Sequence, residues 1–348
     1  MHRFKHRWLA SAAALALGLL GLQAPARLGA GPVYVLDHRI ALNGDTGWDY
    51  AIVDAPAHRL YVSRGQHVDV LDTVSENLVG TIEETWGVHG IALADDLGKG
   101  FTSNGLSGTV RVFDLKTLRP GALVPAGSNP DAIVYDPFSH RVFAFNGKSG
   151  DATVIDARTE KVLATLPLGC KPEFAAADGA GKVYYNREDK NAVGVIDATA
   201  LQTGVVWPLK ARSPSGLAMD RAGHRLFSVC DGDTMEVVDA LSGSVTAEVA
   251  IGSHPDAAGY DPGTGLAFAS NGDGTLTVVD AAPGHGYAVV DTVATQKGAR
   301  TMALDPSTHT IYLACAQYLS ETAGADAGAH HRPRIKPGTV ELLVLKKR

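Results

Sequence analysis

The chain repeats one pattern seven times, and this repetition constrains its fold more than any other feature. Each repeat opens with a polar or ionisable residue that a short apolar stretch follows, and successive repeats open 40 to 44 residues apart. A period near 42 residues is typical of an array of similar supersecondary units that bury their apolar faces against one another. The residues that open the repeats, here called the opening residues, are Asp49, His89, Asp131, Glu173, Ser215, Asp256 and Arg300.

Each repeat is predicted to form one four-stranded antiparallel sheet. In the third repeat, short β-prone runs cover residues 130–136, 141–146, 152–156 and 162–166, and Asp-Pro and Asn-Gly turn signals separate them. Seven such sheets that pack face to face and close into a ring form a β-propeller. We therefore expect an all-β, seven-bladed propeller with blade repeats that start near residues 48, 88, 130, 172, 214, 255 and 299.

Two positions recur with little chemical variation, which indicates structural roles. The third strands end in a Val-x-Asp pattern, whose Asp is expected to accept hydrogen bonds from the following turn. The second strands carry one aromatic residue each, which we interpret as core packing between blades because a core position must recur in every blade. These aromatic residues are Tyr61, Phe101, Phe143, Tyr184, Phe227, Phe268 and Tyr312.

The two ends of the array predict how the ring closes. The last repeat supplies three β-prone runs and lacks a fourth, whereas residues 33–42 form a β-prone segment ahead of the first repeat. We expect this N-terminal strand to complete the last blade, which removes both free sheet edges. Residues 320–337, rich in Ala and Gly, are predicted to be a loop insertion that is solvated or, alternatively, serves as a lid, a partner-docking arm or a weak metal-capture tract.

The second-strand sequences also carry a family resemblance. Segments 61–64, 101–104, 143–146, 268–271 and 312–315 read YVSR, FTSN, FAFN, FASN and YLAC. With the Val-x-Asp third strands, they resemble the YVTN-type β-propeller repeat family over residues 33–347. The resemblance implies an exported seven-bladed propeller. It leaves the function open, because similar propellers include binding proteins, surface proteins, nucleic-acid binders, lactonases and lyases.

Residues 1–26 are predicted to be a secretory signal peptide. Arg3, Lys5 and Arg7 precede an apolar run over residues 9–22, and Ala24-Pro25-Ala26 offers a cleavage site. The apolar run is shorter than the roughly 20 residues that a membrane-spanning helix needs. We expect residues 27–348 to form a single propeller domain without a membrane span, located in the periplasm or secreted.

The charge balance argues against a nucleic-acid partner. The chain has 31 Lys and Arg against 37 Asp and Glu, a net charge of −6, and removal of the three basic leader residues lowers it by three, to −9. Nucleic-acid binders neutralise phosphates with clustered basic residues, so no nucleic acid is expected.

The three cysteines leave two possibilities open. Cys170, Cys230 and Cys315 allow one disulfide in any of three pairings or, alternatively, three buried thiols.

The opening residues are the candidate ligand site. In a propeller they should face the mouth of the central channel, and their chemistry differs from blade to blade, unlike that of the structural positions. We expect Asp49, Asp131, Ser215 and Asp256 to contact a ligand, with Arg64 and Arg187 facing the same funnel from the ends of second strands. The alternative is a solvated mouth in which Arg300 and the carboxylates neutralise one another.

Metal binding and catalysis are two further hypotheses for this mouth. Asp131, Glu173, Asp256 and His89 are suitable ligand types for Ca²⁺, Mg²⁺ or a transition metal. If the site is catalytic, His89 is the expected base and Arg300 the partner of an oxyanion or carboxylate, and Glu173 or, alternatively, Asp131 is the acid or a metal ligand.

The sequence thus favours binding of a polar small molecule or a cation at the channel mouth. A metal-dependent hydrolase, lactonase-like, or a lyase is the alternative. A scaffold for a protein partner or a cell-wall component is the third possibility, and the sequence does not decide whether the protein is an enzyme.

Overall fold

The computed structural model describes residues 33–42, 44, 46–319 and 334–348, which belong to one unit, Pro32–Arg348. These residues form 28 strands in seven four-stranded antiparallel sheets. Two 3₁₀ turns, Asp95–Leu97 and Glu188–Lys190, are the only helical elements among the described residues. The predicted signal peptide and residues 320–333 of the predicted insertion lie outside the described residues.

The first three blades follow the chain in order, after an initial strand β1 (Tyr34–Ala41). Blade 1 contains β2 (Ala51–Asp54), β3 (Arg59–Ser63), β4 (Val68–Asp72) and β5 (Leu78–Ile82). Blade 2 contains β6 (Val88–Ala94), β7 (Lys99–Asn104), β8 (Thr109–Asp114) and β9 (Pro120–Pro125). Blade 3 contains β10 (Pro130–Asp136), β11 (Arg141–Asn146), β12 (Asp151–Asp156) and β13 (Lys161–Pro167).

The remaining blades continue this order to the C-terminal strand. Blade 4 contains β14 (Pro172–Ala177), β15 (Lys182–Arg187), β16 (Ala192–Asp197) and β17 (Gln202–Pro208). Blade 5 contains β18 (Arg212–Asp220), β19 (Arg225–Asp231), β20 (Thr234–Asp239) and β21 (Val245–Ala250). Blade 6 contains β22 (Pro255–Asp261), β23 (Leu266–Asn271), β24 (Thr275–Asp280) and β25 (Ala288–Ala294). Blade 7 contains β26 (Thr301–Asp305), β27 (Thr310–Cys315), β28 (Glu341–Lys347) and β1.

The first strand of each repeat is the inner strand of its blade. Inner strands of neighbouring blades contact one another around a closed ring, from β2 through β6, β10, β14, β18, β22 and β26 back to β2. The spacing is tight enough at Gly216 that a β-carbon would collide with the backbone carbonyl oxygen of Asp256 in the next blade. The predicted fold, an all-β ring of seven four-stranded blades, is confirmed.

Strand β1 supplies the fourth strand of blade 7. It pairs antiparallel with β28 along its length, from Tyr34 opposite Lys347 to Ala41 opposite Glu341. The Tyr34 ring is fully buried, meets Phe268 edge to face at 5.3 Å, and donates a hydroxyl hydrogen bond to the His309 carbonyl at 2.9 Å. The N-terminal segment therefore joins the last blade as the unmatched strand count predicts.

The recurrent positions have the predicted structural roles. All seven second-strand aromatic residues are buried. Phe101, for example, packs in one cluster with Ile133 and Tyr135 of the next blade. The Val-x-Asp carboxylates accept backbone N–H bonds from the turn that follows, as Asp114 does from Thr117 at 2.7 Å.

A recurring basic residue ties neighbouring blades together, a feature that the sequence pattern alone did not reveal. The first residue of the second strand reaches across to backbone carbonyls of the next blade. Arg141 donates to the carbonyls of Ala198 and Thr199, the latter at 2.7 Å. The equivalent side chains that make the same kind of contact are Arg59, Lys99 and Arg225.

The structure also bears on the predicted insertion and on the three cysteines. Residues 334–336 of the predicted insertion pair with the chain after β27, because Leu319 N donates to Arg334 O and Lys336 N to Gln317 O, both at 2.8 Å. The irregular part of the insertion is therefore shorter at its C-terminal end than predicted. The three cysteines are buried free thiols, and none is in a disulfide within the described part of the chain.

Candidate functional site

All seven opening residues line a single cavity of about 370 Å³ at one end of the inner strands. We call it the mouth cavity. Their convergence follows from the repeat, because equivalent residues of a closed ring face a common axis. Other side chains join them, and these come from positions that sequence reasoning did not select: Tyr50, Lys171, Phe174, Glu188, Ser213, Asp231, His254 and Thr301.

Asp49, His89 and Asp131, from three consecutive blades, form a compact group in the cavity. His89 Nδ1 is hydrogen bonded to Asp49 Oδ2 and lies 3.8 Å from Asp131 Oδ1. Burial raises the pKa of Asp131, the neighbouring Asp49 adds to the increase, and His89 opposes it. One ligand atom from each residue lies within 4.8 Å of the others, a separation that a metal ion could bridge after displacing the His89–Asp49 hydrogen bond.

The other nitrogen of His89 is packed against backbone. A β-carbon at Gly105 would lie 2.5 Å from His89 Nε2, so the absence of a side chain at Gly105 leaves the space that the imidazole occupies. Because Nδ1 is bonded to Asp49, this packing restricts the access of a substrate to either nitrogen. A general base must reach the proton that it removes, directly or through one water. The geometry therefore favours a positioning role for His89 over that of an exposed base.

Glu173 is a partly buried carboxyl group beside a lysine. Lys171 Nζ lies 2.9 Å from Glu173 Oε1 and also contacts Glu188. Burial, with a contribution from Asp131, raises the pKa of Glu173 to about 8 even though Lys171 opposes the increase. Burial by itself would lower the pKa of Lys171, but hydrogen bonds to Glu188 and Glu173 raise it above its usual value.

The far side of the cavity contains an ion pair and a backbone-bound hydroxyl. Arg300 Nε lies 3.2 Å from Asp256 Oδ2, which matches the alternative that Arg300 neutralises a neighbouring carboxylate. The Arg300 side chain is nevertheless 54% exposed. Ser215 donates its hydroxyl to the carbonyl of Pro255 at 3.1 Å, so its oxygen is fixed against the next blade.

An aromatic pair forms the floor of the mouth cavity. The rings of Tyr50 and Phe174 stack with centroids 4.5 Å apart. Both residues line the mouth cavity and also a second cavity on the other side of the pair, further along the channel. Burial, followed by the charge of Asp131, raises the pKa of Tyr50 well above its usual value, so the phenol stays protonated.

Side chains from the second strands hold the backbone of several opening residues in place. Ser103 donates to the carbonyl of Asp131 and Ser270 to that of Arg300, in each case across to the next blade. Asn186 Nδ2 donates to the carbonyl of Ser215 at 2.9 Å. These bonds make the mouth of the ring a preorganised set of positions.

Arg64 and Arg187 do not line the mouth cavity, which departs from the prediction. Arg64 is 0% exposed and donates from Nη1 to Asp69 at 2.8 Å. Arg187 donates from Nη2 to the carbonyl of Leu168 at 3.0 Å. Both guanidinium groups are therefore bonded within the fold and do not line the mouth cavity.

The proposed ligand types for a metal are also arranged differently from the prediction. His89 and Asp131 are close together, but the third residue of their group is Asp49. Glu173 is bonded to Lys171, and Asp256 to Arg300. The four residues selected from the sequence therefore share one cavity without forming one compact ligand set.

The residues that sequence reasoning missed have a common signal. Tyr50, Lys171, His254 and Thr301 are one or two residues away from an opening residue, and Glu188 directly follows a second strand. Positions beside the opening residues also vary between repeats. A search for variation over several adjacent positions, rather than at one, would have included them.

The comparisons with known proteins inform the fold alone. No protein-family model and no curated protein matches the chain. The solved structure of U3-55K is similar with a TM-score of 0.74 and 10% identity, covering 90% of this chain and 99% of that one. The WD40 repeats of RRP9 are similar with a TM-score of 0.75 and 9% identity, covering 89% of this chain and 97% of that one. Kuenenia stuttgartiensis hydrazine synthase is similar with a TM-score of 0.67 and 14% identity, covering 80% of this chain and 95% of that one.

At these sequence identities the similarity shows a β-propeller fold, and no function can be transferred from these proteins to this chain. Within the described residues, no helix has the length and apolar character that crossing a membrane requires.

Proposed function

We propose that the mouth cavity binds a small polar ligand that carries a positive charge. One observation carries this proposal: the cavity is lined by more carboxyl groups than fixed cations. The cations are Lys171 and Arg300. The carboxyl groups are Asp49, Asp131, Glu173, Glu188, Asp231 and Asp256.

The excess of negative charge persists at neutral pH. Glu173, with its pKa raised to about 8, holds a proton there and contributes no charge. Lys171 then neutralises Glu188, and Arg300 neutralises Asp256, since each pair is in direct contact. Among the described residues, no lysine or arginine side chain is in direct contact with Asp49, Asp131 or Asp231, although burial raises the pKa of Asp131 and so reduces its share of the charge. A cleft of one sign concentrates ligands of the other sign.

Binding of n-propylammonium to the protein tests the charge requirement, with calorimetry or ligand-observed NMR as the measurement. We expect Asp131→Asn to weaken binding about tenfold or more, because it removes a charge from a partly desolvated site. Glu83→Gln is the matched control, since Glu83 is exposed and does not line the cavity. Equal binding of uncharged n-propanol by the wild type would contradict the proposal.

A divalent metal is the second candidate for the cation, favoured by the closeness of Asp49, His89 and Asp131. It would supply the Lewis acid that a lactonase-like hydrolase or a lyase needs. Metal analysis of untagged protein and thermal melts with and without chelator test this candidate. A panel of lactones and esters, turned over by wild type and not by His89→Ala, would favour an enzyme, and no turnover by either would favour binding.

We also propose that the chain is an exported propeller of the YVTN type. The second-strand sequences, the Val-x-Asp strands and the basic, apolar and Ala-Pro-Ala segments of residues 1–26 support this assignment. Expression in a bacterial host, followed by fractionation and intact-mass measurement, is the test. The expected product begins at Arg27 outside the cytoplasm, and an uncleaved cytoplasmic product would contradict export.

A further inference from the structure

A third cavity, of about 470 Å³, adjoins the mouth cavity between blades 6, 7 and 1. We call it the aromatic cleft, because Trp48, Tyr318 and Ile335 provide its large apolar walls. The two cavities are continuous, since they share five lining residues. The shared residues are Asp49, His254, Asp256, Arg300 and Thr301.

The residues that form the walls of the aromatic cleft are held in place by packing against the apolar core and by backbone pairing. Trp48 and Ile335 pack against the apolar cluster between blades 7 and 1. Tyr318 forms a β-bridge with Ile335, flanked by the two backbone hydrogen bonds that join 317–319 to 334–336. A β-carbon at Gly298 would lie 2.7 Å from the Tyr318 hydroxyl, so the missing side chain leaves room for the ring.

The charges of the two cavities differ. Lys297 lines the aromatic cleft only, whereas Asp49, Asp256 and Arg300 line both cavities. The mouth cavity adds the carboxylates of Asp131, Glu188 and Asp231. An ammonium group is therefore attracted to the mouth cavity, whereas Lys297 opposes its placement deeper in the cleft.

We propose that the aromatic cleft binds the aromatic end of a ligand whose ammonium group occupies the mouth cavity. The ligand class is an arylalkylamine, in which a short aliphatic linker passes the Arg300–Asp256 pair between the two cavities. Flat aromatic and branched aliphatic side chains give such a ring a large contact area, and the few polar groups fix its orientation. This inference rests on the proposed cation binding and specifies the ligand for it.

The experiment compares two ammonium probes, 2-phenylethylammonium and n-propylammonium, by calorimetry or ligand-observed NMR. The wild type should bind the phenyl probe at least about tenfold more tightly, because the phenyl group is removed from water. Trp48→Ala and Tyr318→Ala should each remove most of this difference and leave the affinity for n-propylammonium unchanged. Trp86→Ala is the matched control, since Trp86 is exposed and lines neither cavity.

The outcomes separate this inference from the proposed function. If the wild type binds both probes with equal affinity, the aromatic cleft is overturned as a subsite while cation binding stands. If it binds neither probe, both proposals are overturned. If the Trp48 and Tyr318 variants weaken both probes equally with unchanged melting temperatures, the cleft does not act as a separate subsite, and the inference is also overturned.

Discussion

The Lys171 ammonium nitrogen lies 2.9 Å from a carboxyl oxygen of Glu173, yet the pKa of Glu173 is raised to about 8. Burial and the nearby Asp131 carboxyl outweigh the attraction of Lys171, which also contacts Glu188. A carboxyl group that stays protonated at neutral pH presents no negative charge. The charge of the mouth cavity therefore depends on pH in the range where Glu173 ionises.

This raised pKa predicts how stability changes with pH. The folded state holds a proton on Glu173 up to about pH 8, whereas the unfolded state releases it near the usual value of 4.5. The contribution of Glu173 to the free energy of unfolding is therefore fully present below pH 4.5 and is lost as the pH rises to about 8. Glu173→Gln should remove this part of the pH dependence, measured by urea unfolding across the range, whereas Glu83→Gln should keep it.

The packing of Gly105 against His89 predicts a sensitive position. Gly105→Ala places a β-carbon 2.5 Å from His89 Nε2, so the imidazole must move and its hydrogen bond to Asp49 weakens. At the equivalent position of blade 3, a β-carbon at Gly147 would meet Asn129 at 3.5 Å, an ordinary contact. We expect Gly105→Ala to shift the His89 imidazole NMR signals and lower the melting temperature. Gly147→Ala should do neither, and equal effects of the two substitutions would contradict the assigned contact.

The basic contacts between blades predict a stability effect far from the mouth cavity. Arg141→Met removes hydrogen bonds to the carbonyls of Ala198 and Thr199 and should lower the free energy of unfolding by about 1–3 kcal/mol. Arg158→Met in the same blade replaces an exposed arginine and should change it by less than about 0.5 kcal/mol. Chemical denaturation measures both, and indistinguishable midpoints would show that the contact does not stabilise the ring.

Closure of the ring through β1 predicts a large effect of its buried tyrosine. Tyr34→Ala removes a fully buried ring, its contact with Phe268 and its hydrogen bond to His309, and should cost about 3–5 kcal/mol. Leu36→Ala is the control in the same strand, because Leu36 is 36% exposed. Thermal and denaturant unfolding give the comparison. Equal losses would indicate that β1 contributes little through its buried face.

Much of the fold could be predicted from the sequence, because its determinants are local and repeated. The Val-x-Asp turns and the buried aromatic of each second strand recur every 42 residues or so, and each acts within its own blade or on the next one. The count of β-prone runs also predicted that residues 33–42 join the last blade. The contacts of Arg141 and its equivalents escaped prediction because a basic residue at a strand start has no distinctive sequence signal.

The sequence by itself determined that seven opening residues of five different types belong to equivalent positions of one ring. Only the tertiary structure decided which of them meet: Asp49 with His89 and Asp131, and Arg300 with Asp256. It also placed Arg64 in the interior, brought Lys171 to Glu173, and joined the aromatic cleft to the mouth cavity. The physical reason is that a repeat determines the strand order and the end of the ring at which equivalent residues lie. Side-chain contacts across the axis depend instead on the closure of the ring and on loops that do not repeat.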